Sequence, residues 1–286
     1  MLFSKKEKTE KEPQYYTTAT NTLAYNYNVY YMKPLEKLLY ILLAFAAGAL
    51  VGYLFYGGIG KDSYGNPTRT TYILNTVIPT AVGLAAVKLF LPMRTKSIIE
   101  KKRNELRHQF RDMLDALNTS LGAGKNVNDS FFGIYEDLKI QYDEDAFILK
   151  ELEIILAGLL NNVAIEDTLD DFGKRSGVDD IKSFANVFRI SYRKGGNLKD
   201  IIRNTHGIIS DKMEIADEIE TVVSANKMDQ NIMIVMPILL IAGIKMMSPE
   251  FAANFATPVG IMSTTISLVF FVVAYYVGKK ILEIKI

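Results

Sequence analysis

Four long apolar stretches limit what this chain can fold into. Residues 38–59 and 72–91 precede a charge-rich centre, and residues 232–247 and 259–277 follow it. The first and last carry no charge; the second and third each carry one lysine, Lys88 and Lys245. As helices, the first, second and fourth runs match a hydrocarbon core of about 30 Å, where backbone polar groups must be satisfied within the segment, and the third is shorter. An apolar fraction of 49% beside a charged fraction of 23% therefore reflects segregation along the chain, not an even mixture. Lys88 is read either as a functional intramembrane charge or as a side chain snorkelling to the interface; Lys245, near a helix end, is expected to reach headgroups. Gly48 and Gly52 form a small-xxx-small pair that lets membrane helices approach closely. Pro237 is expected to kink the third run.

Charge sets the orientation. Lysine and arginine gather in the N-terminal run SKKEKTEKE, in a collar of Arg94, Lys96, Lys101, Lys102, Arg103, Arg107 and Arg111, and near the C-terminus. The two short loops are poor in them, so both termini and the centre are expected on the cytoplasmic side. The fold class expected is an all-α membrane protein, with four transmembrane helices in two hairpins bracketing a cytoplasmic helical bundle. Its parts are a flexible cytoplasmic tail (1–34), a first hairpin (35–92), the cytoplasmic domain (93–229), a second hairpin (230–279) and a cytoplasmic C-terminus (280–286). Tyr15, Tyr16, Tyr25, Tyr27, Tyr30 and Tyr31 make the tail either a partner-binding arm or a segment whose last tyrosines rest at the membrane surface.

The centre has helical periodicity throughout. Leu106, Phe110, Met113, Leu114, Leu117 and Leu121 share one face of a first helix, and further helices are expected near 127–139, 145–161, 165–176 and 179–194. A long helix from Leu198 should bury Ile201, Ile202, Thr205, Ile208, Ile209, Met213, Ala216, Ile219 and Val223. Two joints between helices look alike: Gly124-Lys125-Asn126-Val127-Asn128-Asp129, preceded by Gly122, and Gly195-Gly196-Asn197-Leu198-Lys199-Asp200. In each, glycine ends one helix in the left-handed region, asparagine caps the next, and aspartate sits at its positive N-terminus. Asn162 heads a weaker third copy, asparagine being the next residue able to adopt that conformation.

Several chemistries are excluded. With no cysteine there is no disulfide, thiolate nucleophile or thiolate metal site, and two histidines make no histidine-rich centre. A net charge of +1 argues against a nucleic-acid footprint over the whole chain. Gly124-Lys125 fails the phosphate-loop pattern, because Thr119 stands where its first glycine belongs and Asn126 follows the lysine. His108 and His206 read as structural or surface residues, and no cofactor and no active site are expected. Acidic residues, Asp143, Glu144, Asp145, Asp170 and Asp171 among them, and the basic Arg189, Arg193 and Lys194 read either as solvated helix faces or as surfaces that dock a partner.

The runs FRDMLDALNTSLGAGKNVNDSF, FRISYRKGGNLKDIIRNT and SPEFAANFATPVGIM resemble the platform proteins of type II secretion systems and type IV pili, the type II secretion F-domain family. The likeness covers about residues 70–286. A single cytoplasmic domain with four membrane runs is similar to the TadB-like branch of the Tad (Flp-type) pilus machinery; the tyrosine-rich tail lies outside the pattern. The resemblance implies a non-enzymatic platform in the cytoplasmic membrane. It implies contacts with a hexameric secretion ATPase, with pilin subunits and with a paralogous TadC-like platform protein, in a homo- or hetero-oligomer. A multi-pass transporter or channel, or a membrane-anchored signalling scaffold, are the readings from other classes. Ionisable groups only near the ends of the apolar runs disfavour a transport pathway.

Overall fold

Why the central helices begin and end where they do is visible at their ends. Asn126 caps α3 (Val127–Gln141). Ala146, before α4 (Phe147–Leu160), has no capping side chain, and Gln109 reaches in instead, its amide oxygen accepting from the Ile148 N–H at 3.0 Å. α5 (Ile165–Ser176) stops at Gly177, whose φ is +63°. There an added Cβ would collide with Asn28 and the Arg103 guanidinium, so glycine is required twice over. α6 (Asp179–Lys194) starts on Asp179 and Asp180 and ends on Arg193 and Lys194, matching the helix dipole at both ends.

The computed structural model describes residues 12–18, 22–62, 66–194 and 198–282. About 82% of it is helical. The other elements are β1 (Tyr15–Thr17), β2 (Leu23–Tyr25), α1 (Pro34–Tyr56), α2 (Arg69–Gly122), α7 (Leu198–Met247), α8 (Pro249–Asn254) and α9 (Pro258–Leu282). The chain divides into two units, one of residues 1–31 with 95–213 and one of residues 32–94 with 214–286.

The first unit is a helical bundle. Leu106, Phe110, Met113, Leu114 and Leu117 of α2 are fully buried among Phe131 and Ile134 of α3, Leu152 and Ile155 of α4, Phe172 of α5 and Phe184 and Phe188 of α6. Phe110 meets Phe172 and Phe184 edge-on, at ring separations of 6.1 and 5.4 Å. Ile202, Ile209 and Met213 of α7 complete this core. Ile208, expected on the buried stripe, is 58% exposed, because the stripe narrows to Ile202, Ile209 and Met213.

Residues 12–18 and 22–31 depart from the flexible tail expected. β1 and β2 pair antiparallel, Tyr15 with Tyr25 and Thr17 with Leu23. Ala24, Asn26 and Tyr27 are buried, and Tyr27 joins the core of the bundle. The reading that rests the last tyrosines on a membrane surface is corrected for Tyr27, which is a core residue.

In the second unit, α1 and the early part of α2 approach at small residues. An added Cβ on Gly48 would lie 2.7 Å from Ala86 Cβ, one on Gly52 3.0 Å from the Pro79 backbone, and one on Gly83 2.8 Å from the Phe45 ring. α1, α2, α7 and α9 each contain a stretch long and apolar enough to cross a membrane.

Candidate functional site

The joint at 122–129 has the geometry its residues dictate. α2 ends at Gly122, and Gly124 turns the chain with φ +85°. The Asn126 side-chain Oδ1 accepts from the Asp129 N–H at 2.8 Å while its Nδ2 donates to the Asp129 carboxylate at 2.6 Å. One side chain thus satisfies an orphan donor and fixes an anion at the helix start. Of the second joint, Gly195, Gly196 and Asn197 lie outside the described residues. Leu198 opens α7, and Asp200 in its first turn accepts from Arg203 at 3.0 Å. The two joints share a cavity of about 490 Å³, walled by Leu121 and 125–129 from one and by Tyr192, Leu198 and Lys199 from the other. Asn162 takes φ +58° between α4 and α5, the conformation anticipated for the third copy.

The charged candidates fall into two groups. Asp170, Asp171, Arg189 and Arg193 are engaged within the bundle. Asp170 bonds Lys174 and Arg189 at 2.7 Å each, Arg193 bonds Glu166 at 3.1 Å and approaches Asp167 at 3.8 Å, and Asp171 bonds Arg175 at 2.7 Å. This lattice fastens α5 to α6. The Glu166 carboxyl is held below its ordinary range by its own backbone N–H and by Arg193. Burial pushes the Asp170 carboxyl up, but Lys174 and Arg189 together bring it below the usual value. Asp143, Glu144 and Asp145 instead stand exposed on the turn between α3 and α4, with Asp145 pairing to Lys150 at 2.7 Å. Near them Ile140 is 89% exposed, an unusual place for an isoleucine. Lys194 is exposed at the end of α6.

The most heavily buried polar cluster was not anticipated from the sequence. Glu151 and Arg175, with side chains 1% and 3% exposed, form a two-pronged pair at 2.7 and 2.9 Å. The Tyr27 hydroxyl donates to the same carboxylate at 3.1 Å. Arg175 also donates to the Tyr25 carbonyl at 3.0 Å, and its own carbonyl accepts from the Tyr27 N–H at 2.9 Å. Burial drives the Glu151 carboxyl up, opposed by Arg175 and Tyr27; burial lowers the Arg175 value, yet its bonds to Glu151 and Asp171 hold the guanidinium firmly charged. Burial, then Glu151, likewise raises the Tyr27 phenol. Lys102 closes the outer side, with its ammonium 4.9 Å over the Tyr25 ring and 4.6 Å over Tyr30. A signal existed in the sequence. Glu151 shares a helix face with Ile148, Leu152 and Ile155, so a carboxylate stood on an apolar stripe awaiting a partner.

In the second unit Gly48 and Gly52 sit at the closest approach of α1 and α2, and Pro237 lies within α7. Lys245 does not extend away from the helices as expected. Its ammonium donates to the Leu54 carbonyl at 2.6 Å and lies 4.4 Å over the Phe255 ring. Leu54 is in the last turn of α1, which has no basic residue of its own there, so Lys245 supplies the C-terminal cation.

Among the described residues no group of three or more histidine and carboxylate side chains converges to hold a metal ion. Together these features define an α-helical protein in which a polar, ion-paired bundle shares its chain with four long apolar helices. No known family, no curated protein and no solved structure matches it.

Proposed function

We propose that this protein is a multi-pass platform of the cytoplasmic (inner) membrane, non-enzymatic, with its termini and first unit on the cytoplasmic side. In this reading it couples a hexameric secretion ATPase to the assembly of pilin subunits, in a Tad or type IV-like pilus or a type II secretion machine. The supporting observation is the composition of two helices. α2 carries the apolar run 72–91 and later the core residues Leu106 to Leu117; α7 carries the core residues Ile202 to Met213 and later the run 232–247. Between Met213 and Ile232 α7 holds no proline, so its hydrogen-bonded ladder runs on and a push or turn applied to its polar part is felt in its apolar part, whereas Pro92 interrupts the ladder of α2 between its two parts. Asp143 and Glu144, exposed on the turn after Ile140, are the surface offered to the motor, because Asp145 is paired with Lys150 and the α5–α6 charges are paired with one another. Reconstituting the full-length protein in lipid nanodiscs with the secretion ATPase of the same cell tests this. Stable association, with loss of filaments when the protein is deleted, is expected. Filaments that persist in the deletion strain, or nucleotide hydrolysis by the purified protein alone, refute it.

A further inference from the structure

Along one side of the second unit, α7 and α9 enclose a groove made of two cavities. One, of about 390 Å³, is lined by Met233, Ile234, Phe271, Ala274, Tyr275 and Ile281, with Asn226, Asp229 and Gln230 at one end. The other, of about 220 Å³, continues from the shared Ile234, Phe271 and Tyr275 to Val51, Phe55, Pro237 and Leu268, with no charged group in its wall. Polarity therefore falls from one end of the groove to the other.

We propose that this groove is a lipid site, holding one acyl chain of an anionic phospholipid with its headgroup beside Asn226, Asp229 and Gln230. The inference rests on the membrane location in the proposed function, and three observations carry it further. Length is the first. From Asn226 to Ile238 α7 rises about 18 Å, close to the depth of one leaflet, about half of a 30 Å hydrocarbon core. Lining is the second. Beyond its polar end the groove is walled by apolar and aromatic side chains with no charged group among them, the surroundings a hydrocarbon chain requires. The polar end is the third. An added Cβ on Gly278 would strike the Gln230 amide. Glycine thus lets Gln230 lie across α9 and donate to the Tyr275 carbonyl at 3.1 Å, closing the groove where an ester and headgroup would sit. Among the described residues at that end, Lys227 and Lys280 stand exposed beside Asp229, which favours an anionic headgroup.

The test uses the full-length protein in nanodiscs containing phosphatidylglycerol with a photoreactive group midway along one acyl chain. Peptide mapping should find the label concentrated on 226–238 and 268–281. Ala274→Phe fills the groove from an exposed helix face and should reduce labelling there to the level of the other apolar faces, with helicity and thermal unfolding unchanged. Lys227→Gln with Lys280→Gln should remove the preference for phosphatidylglycerol over phosphatidylcholine. Label spread evenly over all apolar helices, or undiminished in Ala274→Phe, overturns the site. So does efficient cross-linking between two copies through Ala274→Cys, which would make a second chain the occupant. Carbonate extraction of native membranes is run alongside. Protein released by carbonate overturns both the site and the membrane reading, whereas protein retained in the membrane with unfocused label overturns the site alone.

Discussion

Replacing Arg175 with methionine removes one partner of a fully buried pair and keeps most of the side-chain volume. Glu151 then keeps only the Tyr27 hydroxyl, at 3.1 Å, while its side chain stays 1% exposed. Breaking such a pair from one side costs about 3–5 kcal/mol, because an uncompensated charge is left in the core. The Tyr25 carbonyl also loses its donor, so residues 12–18 and 22–31 loosen with α4. In hydrogen exchange by mass spectrometry, that cost is about two to nearly four powers of ten faster exchange in α4 and the N-terminal arm. The triple change Arg175→Met, Glu151→Leu, Tyr27→Phe takes out the three groups that meet at the Glu151 carboxylate and should recover to within about 2 kcal/mol of the parent. Acidity gives a second check. Burial already raises the Glu151 carboxyl, and losing the guanidinium raises it further. A group raised in the folded state stabilises at low pH, and that contribution is lost as pH climbs through its folded value. The Arg175→Met protein should therefore regain protection on acidification from pH 8 towards pH 5. Exchange within about threefold of the parent, under 1 kcal/mol, would refute the claim that this cluster fastens the arm.

Asn126→Ala removes the cap of α3 and should cost about 0.5–2 kcal/mol, read as faster exchange in its first turn. Gly83→Leu should drive α1 from α2 by overpacking against Phe45 and lower stability by about 1–3 kcal/mol, while Gly122→Ala, with open space around it, leaves thermal unfolding in detergent unchanged. Glu166 and Asp170 are held below their unfolded values of about 4.3 and 3.9. Their contribution is present above those values and lost as pH falls through the folded ones; Arg189→Gln should move the acid unfolding midpoint of the first unit upward. Ser224→Pro breaks the ladder of α7 at a cost of about 3 kcal/mol or more. Filament assembly should stop while membrane insertion persists, and normal filaments would end the coupling idea.

The helices of the centre were legible because their punctuation is local. Asn126, Gly124 and Asn162 act within a few residues of themselves, and the face Ile181, Phe184, Ala185, Phe188 needs no distant information. The arm was not legible. Its tyrosines have no helical or strand period long enough to read, and the bond from Tyr27 to Glu151 spans 124 residues. Nor did the charge pattern reveal which groups are spent inside the chain. Asp170 and Arg189 look like any surface pair in sequence, and only the crossing of α5 with α6 brings them to 2.7 Å.

That distinction decides how a docking surface should be sought. Reversing Asp170 or Arg189 removes an ion pair that joins two core helices, so a binding defect in such a variant reports a loosened bundle first. Asp143 and Glu144 carry no such burden, since both stand exposed on the α3–α4 turn. The neighbouring Ile140 gains nothing from the fold at 89% exposure, yet burying it against a partner would contribute on the order of 1.5–3 kcal/mol. An exposed apolar side chain followed in the chain by the exposed Asp143 and Glu144 would give a basic partner both steering and a foothold, one acting on association rate and the other on lifetime. Charge substitutions at 143 and 144 should therefore slow association and weaken its salt dependence, whereas Ile140→Ser should speed dissociation with the association rate unchanged.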